Sequence, residues 1–133
     1  MPILIAIRDT KDVPVGAILD LYREADWACD RSAEEVRVAL ERTQLLLTVW
    51  DDERCVAMLR AFTDGIFRAL VDDVIVLSSY RGRGLGRRLL EAALTHPLLR
   101  DVEEVVLFTG IPEFYEKYGF VRASSGMVLQ RKR

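Results

Sequence analysis

Histidine and cysteine are nearly missing from this sequence, with one histidine (His96) and two cysteines (Cys29 and Cys55) among 133 residues. Two thiols without metal-ligand spacing and a single imidazole leave no basis for a zinc centre. Both cysteines read as reduced packing residues of a cytoplasmic protein, and with no partner histidine indicated, an acyl-cysteine mechanism has no base. No apolar run approaches the ~20 residues that span a bilayer. The opening Met1-Pro2-Ile3-Leu4-Ile5-Ala6-Ile7 is short and lacks the basic start of a signal peptide. A net charge of −2 gives no general field for nucleic acid or an anionic membrane, so any basic function must be local. There is no internal repeat, linker or low-complexity tract, and the length is that of one domain.

What is present is a series of short periodic segments. Ile3–Ile7 predicts a first strand. Asp12 offers an N-cap and Pro14 a first helical turn, and Val13, Ala17, Ile18, Leu21, Tyr22 and Ala25 recur at helical spacing. Residues 26–31 break the pattern as a loop. Ser32 with Glu35 forms a capping box that opens a second helix through about Glu41. Strand-like runs follow at 45–50, 54–62 and 66–77, with Asp64-Gly65 as a hairpin turn. A helix from Leu85 to Pro97 places Leu85, Leu89, Leu90, Ala92, Ala93 and Leu94 toward a core and pairs Arg87 with Glu91 on its outside. Residues 104–108 predict a strand, 112–118 a short helix ended by Gly119, and 120–123 and 127–130 a closing pair of strands. The sum is one α/β domain, residues 1–133, with a largely antiparallel sheet of about six to seven strands and about four helices.

The segment Ser79-Tyr80-Arg81-Gly82-Arg83-Gly84-Leu85-Gly86-Arg87-Arg88 joins the last strand of this series to its helix. A strand that passes through glycines into a helix leaves free N–H groups at the positive end of the helix dipole, a ready anion site. Gly82, Gly84 and Gly86 admit phosphate oxygens to the backbone, and Arg81, Arg83 and Arg87 add charge-assisted bonds. The visitor this implies is a diphosphate. A dinucleotide fingerprint would need glycine where Arg87 stands, and the phosphate loop of nucleotide hydrolases would need a Gly-Lys-Ser/Thr ending that is absent. A loop with a solvated arginine cluster, or an RNA-touching patch, is the alternative at this point.

Arg81-Gly82-Arg83-Gly84-Leu85-Gly86 fits [QR]-x-x-G-x-[GA], and Glu113-Phe114-Tyr115-Glu116-Lys117-Tyr118-Gly119-Phe120 stands downstream. Together, at this spacing, the two resemble the GNAT superfamily of N-acyltransferases over roughly residues 45–123. The resemblance implies that the strand before the glycines and the strand at 104–108 splay apart. The diphosphate of acetyl-CoA would rest on residues 81–87 (Leu85 included). Its pantetheine arm would take main-chain bonds from Val74, Ile75, Val76 and Leu77. It also implies direct attack of an amine on the thioester through a tetrahedral intermediate, with an N–H of that strand on the oxyanion and Tyr115 protonating the leaving thiolate. Tyr118 falls at a position usually apolar and reads as packing. Phe108-Thr109-Gly110-Ile111 stands where the family often carries an asparagine, so the pantetheine contact of that asparagine is not implied here.

Asp72 and Asp73, on the strand lining the expected cleft, are the candidate bases, or else exposed carboxylates at a sheet bulge or hydrogen-bonding groups at a strand. Tyr22, Glu24, Asp26 and Trp27 are the candidate acceptor-binding residues: Trp27 to wall an apolar pocket, the carboxylates to attract an ammonium. An ordinary helix end with one buried tryptophan is the alternative. His96, at the far end of its helix, reads as a surface residue. The partner expected is a small-molecule or peptide amine, with no nucleic acid, membrane or metal, and a homodimer left open. A non-catalytic acyl-CoA-binding module would keep the glycine loop but have no use for Tyr115.

Overall fold

The structure, a computed structural model, describes residues 5–131. Five strands form one sheet in the order β1 (Ile5–Asp9), β2 (Leu45–Asp51), β3 (Arg54–Thr63), β4 (Arg68–Val76) and β5 (Glu104–Val106). Neighbours are antiparallel except β4 and β5, which run parallel because a helix crosses between them. The first strand sits slightly later than its apolar run predicts, and Ile3 and Leu4 lie outside the described residues.

Every residue from Leu45 to Trp50 and from Cys55 to Ala61 is buried, so both faces of the sheet's middle are covered. Helix α1 (Val15–Tyr22) packs on β3, β4 and α2 (Ala33–Arg42), whereas α3 (Leu85–Thr95) packs on β2, β3 and β4. The face of α3 that carries Leu85, Leu89, Leu90 and Ala93 is buried, as the leucine spacing predicts. The Ser32 capping box is complete: Ser32 Oγ accepts from Glu35 N–H at 3.1 Å and Glu35 Oε1 from Ser32 N–H at 2.9 Å. Asp64 organises the β3–β4 turn, its Oδ1 accepting from the N–H groups of Ile66 and Phe67 at 2.8 and 2.7 Å.

Several local expectations fail. Helix α1 begins from Pro14 with no side-chain cap, so Asp12 does not cap it. Arg87 forms no ion pair with Glu91; its guanidinium leans back toward the helix start instead, 3.8 Å from where a Cβ on Gly84 would lie. Residues 120–131 form no strand, leaving the sheet with five strands rather than six or seven. Their side chains Val121, Met127, Val128 and Leu129 are exposed, so alternation there has no partner edge to bury against. The Gly119 turn does form, at φ +90°, with Phe120 N–H reaching Tyr115 C=O at 3.4 Å.

The feature that positions a site is the divergence of β4 from β5. Their pairing is limited to Arg68, Ala69 and Leu70 opposite Glu104, Val105 and Val106. Beyond Leu70, β4 runs on to Val76 with β3 as its only partner among the described residues. The central strands therefore splay.

Candidate functional site

At the open end of the splay, β4 leads through a single turn at Ser78–Tyr80 into the glycines and α3. Gly82 and Gly84 have φ of +78° and +74°, left-handed backbone that a side chain strains. Gly84 is the residue before α3 and among the described residues no side chain caps that helix, so its first N–H groups have no intrahelical or side-chain acceptor. Gly86 is different. Its backbone is helical and a Cβ there would lie 3.5 Å from Phe114 Cζ, an ordinary contact. Neither the turn nor the packing demands glycine at 86, which leaves room for a ligand as its physical reason.

Arg81, Arg83, Arg87 and Arg88 are exposed, and among the described residues no carboxylate pairs with them. Arg81 Nε donates to Val76 C=O at 3.3 Å, and Arg83 lies 4.8 Å over the Tyr80 ring. The Tyr80 hydroxyl donates to Asp51, fastening the loop to the β2–β3 turn. The loop is thus held in place while its positive charge is left unneutralised.

The positions expected to serve a pantetheine arm, Val74 to Val76 of β4 and Leu77 just beyond it, divide by the direction of their main-chain groups. Leu77 N–H donates across to Val56 C=O at 2.9 Å. Strand alternation then turns Ile75 toward β3 as well and directs the main-chain groups of Val76 and Val74 to the open side. Arg81 meets the Val76 carbonyl there.

Helix α4 (Pro112–Glu116) links the loop to the splay. Phe114 abuts Gly86, while the next residue, Tyr115, is buried and lines a groove of about 1540 Å³ with Leu70, Val106, Leu107 and Tyr118. Tyr115 is wedged edge-on between Phe114 and Phe120, at ring distances of 5.0 and 5.8 Å. Its hydroxyl has no partner among the described residues, and burial holds its pKa above the ordinary tyrosine value. It keeps its proton at neutral pH.

The two aspartates separate sharply. β4 carries a bulge opposite β3, and Asp73 sits in it with φ +48°. Its side chain is 1% exposed, and Oδ2 accepts from Tyr22 Oη at 2.7 Å, Arg31 Nη1 at 2.9 Å and Arg60 Nε at 2.5 Å. Asp73 is an internal anchor, out of reach of an incoming amine. Asp72 is 44% exposed, with Arg60 Nη2 at 3.6 Å, and burial followed by the neighbouring Asp73 charge raises its pKa. Of the two, only Asp72 is open to solvent.

The four acceptor candidates do not share one pocket. Tyr22 is buried, its hydroxyl committed to Asp73 and its pKa raised by burial and by that charge. Glu24 Oε1 accepts from Ser78 N–H at 2.8 Å and borders a separate pocket of about 510 Å³ with Asp20, Asp51 and Asp52. Asp26 and Trp27 are exposed, and the Trp27 ring lies 5.4 Å beneath the Arg31 guanidinium. Trp27 is therefore not a buried helix-end residue. His96 ties the end of α3 to β1: its Nδ1 accepts from Leu98 N–H, so the protonated Nε2 donates to Asp9 at 2.8 Å. Cys55 is buried and its thiol pushed up to about 11 by that burial, whereas Cys29 is exposed rather than packed.

Arg31 and Arg60 were missed from the sequence. Arg60 had a signal, since an arginine inside the apolar run of β3 requires a buried counter-charge and the next strand offers Asp72-Asp73. Arg31, in a loop of mixed charges, had none.

The profile of the Acetyltransferase (GNAT) domain matches residues 42–122. Among curated proteins, the chain is 31% identical to Serotonin N-acetyltransferase 2, chloroplastic, of Oryza sativa subsp. japonica, over 95% of this chain and 67% of that protein. It is 33% identical to GCN5-related N-acetyltransferase 1, chloroplastic, of Arabidopsis thaliana, over 77% of this chain and 55% of the relative. The chain thus spans from about a third to two thirds of the length of the first curated relatives it matches. Among solved structures, a GNAT-family protein of Xanthomonas campestris superposes with a TM-score of 0.82 at 29% identity, covering 98% of this chain and 95% of that one. The word chloroplastic in two of these names concerns those relatives; among the described residues here, no helix is long and apolar enough to cross a membrane.

Proposed function

The chain belongs to the GNAT acetyltransferase family, which moves acyl groups from acetyl-CoA to amines, and from that premise we propose that it acetylates an amine by direct transfer. The observation that carries the reading is the uncapped, arginine-flanked start of α3 beside the splay of β4 from β5. Residues 81–87 would bind the diphosphate through the free N–H groups of the helix start and through Arg81, Arg83 and Arg87. Val74 and Val76 would take the pantetheine amides on the open side of β4, and a main-chain N–H there would face the carbonyl oxygen as it gains charge. Tyr115 would give its proton to the leaving thiolate, and Asp72 would take one from the attacking ammonium.

The acceptor is a small-molecule or peptide amine. Trp27 and Asp26 would meet it, with Tyr22 and Glu24 supporting the segment from below through Asp73 and Ser78. A second reading, an acyl-CoA-binding module, shares the loop but gives no reason for the unpaired Tyr115 hydroxyl. Calorimetric titration with CoA and with an acetyl-pantetheine that lacks the diphosphate tests the cofactor side. CoA should bind more tightly, and Arg81→Ala should erase part of that advantage. Equal affinities in wild type would remove the loop from the site.

A further inference from the structure

One carboxylate oxygen joins four elements beside the candidate base. Asp73 of β4 receives Tyr22 of α1, Arg31 of the loop after α1, and Arg60 of β3, all on Oδ2. The Arg31 guanidinium is stacked between the buried ring of Tyr22, at 4.8 Å, and the exposed ring of Trp27, at 5.4 Å. Arg60 spans both aspartates, its Nε on Asp73 at 2.5 Å and its Nη2 3.6 Å from Asp72. Arg31 also bonds no other carboxylate among the described residues, so Asp73 alone anchors that guanidinium to the sheet.

Buried ion pairs are a weak source of net stability, because desolvation offsets their attraction. Here the cluster includes left-handed backbone at a non-glycine residue and leaves Asp73 Oδ1 with no partner among the described residues. Backbone strain of this kind, held by three donors, is better accounted for by what it positions than by what it stabilises. It positions two things. Arg31 fixes the segment that bears Trp27, and Arg60 is held on Asp73 at 2.5 Å, which leaves it only a longer ion pair of 3.6 Å with Asp72.

We infer that Asp73 is a positioning residue for acetyl transfer, which through Arg31 fixes the amine-binding segment to β4 and, by holding Arg60, keeps the existing Arg60–Asp72 ion pair from tightening. This rests on the proposed roles of Asp72 and of the segment around Trp27. The charged groups facing Asp72 are Asp73 on its own strand, Arg60 from β3 and Arg31 from the loop; those facing Asp73 are Asp72, the same two arginines and Tyr22. Replacing Asp73 by asparagine removes the negative charge and leaves both cations. Arg60 can then close on Asp72, which becomes a weaker base.

The test is steady-state kinetics against pH for wild type, Asp73→Asn and Arg31→Gln, with amine and acetyl-CoA varied separately. For Asp73→Asn, the acidic limb of kcat/KM should move about one pH unit lower, as expected when the arginine partner of a carboxylate draws closer. Misplacing the acceptor segment should also lower kcat/KM for the amine by up to about 100-fold, with the KM for acetyl-CoA unchanged. Arg31→Gln keeps the Asp73–Arg60 pair but removes a cation that faces Asp72, so it should raise the amine KM and move the limb, if at all, upward, opposite to Asp73→Asn. An unmoved limb in folded Asp73→Asn, or equal losses toward amine and acetyl-CoA, overturns the inference. If Asp73→Asn does not fold, Arg31→Gln decides alone, and an unchanged amine KM overturns it. A wild-type protein that transfers acetyl to no amine overturns the proposed reaction and this role with it, whereas active wild type with indifferent variants overturns only this role.

Discussion

Gly86→Ala separates a loop built for its turn from a loop built for a ligand. Gly82 and Gly84 cannot make that distinction, since their positive φ would strain any other residue by roughly 1–2 kcal/mol whatever binds there. At Gly86 the backbone is helical and the added methyl would meet only Phe114 Cζ, at 3.5 Å. The ligand-free protein should therefore tolerate alanine and gain up to about 1 kcal/mol from its better helix propensity. If a phosphate oxygen approaches the main chain at this point, the methyl displaces it and loses a charge-assisted hydrogen bond of ~1.5–3 kcal/mol. That corresponds to a roughly 10- to 100-fold weaker Kd. Gly16→Ala, on α1 with nothing within 4 Å of its added Cβ, is the matched control: similar helix gain, no effect on binding. Thermal unfolding reads the first quantity and calorimetry with CoA the second. A Gly86→Ala protein that is folded, as stable as the control and binds CoA like wild type would refute the assignment of the loop to the diphosphate.

Tyr115→Phe keeps the ring between Phe114 and Phe120 and deletes only the hydroxyl, so single-turnover acetyl transfer should fall by about 100-fold, with CoA affinity unchanged. Because burial raises the pKa of Tyr115, its proton is retained through neutral and mildly alkaline solution, and wild-type rates should show no loss from its ionisation in that range. A phenylalanine variant with the wild-type rate would make Tyr115 a packing residue. Ser32→Ala breaks the capping box of α2 and should cost about 1 kcal/mol, read as a melting temperature lower by about 4 °C. An unchanged melting temperature would show that the cap contributes nothing.

The sequence exposes what is local and periodic. The leucine spacing of α3 and the Ser32–Glu35 box each lie within one element and appear as expected. The glycine loop was legible because it breaks the period of its surroundings, and the structure adds which glycines the backbone itself requires. The splay of β4 from β5 is a long-range property and entered only through the family resemblance of two separated motifs. A bulge at the aspartate pair entered only as an alternative, and which of the two residues it turns inward depends on the partner strand, which nothing in Val71-Asp72-Asp73-Val74 marks. Hence two adjacent aspartates looked equivalent, yet one became an anchor and the other stayed half-exposed. At the chain's end, alternation in 120–123 and 127–130 suggested strands, but alternation stabilises a strand only when an edge is there to receive it.

The most direct measurement of the function is amine-dependent release of CoA, followed together with the N-acetyl product by mass spectrometry. Acetyl-CoA and the protein would be incubated with a panel headed by serotonin, the amine in the name of the rice relative, and a lysine peptide. The expected result is CoA release that requires an amine and matches the acetylated product one for one, abolished or strongly slowed in Tyr115→Phe. Tight binding of acetyl-CoA with no amine-dependent release across the panel would contradict it and leave an acyl-CoA-binding module in place of an enzyme.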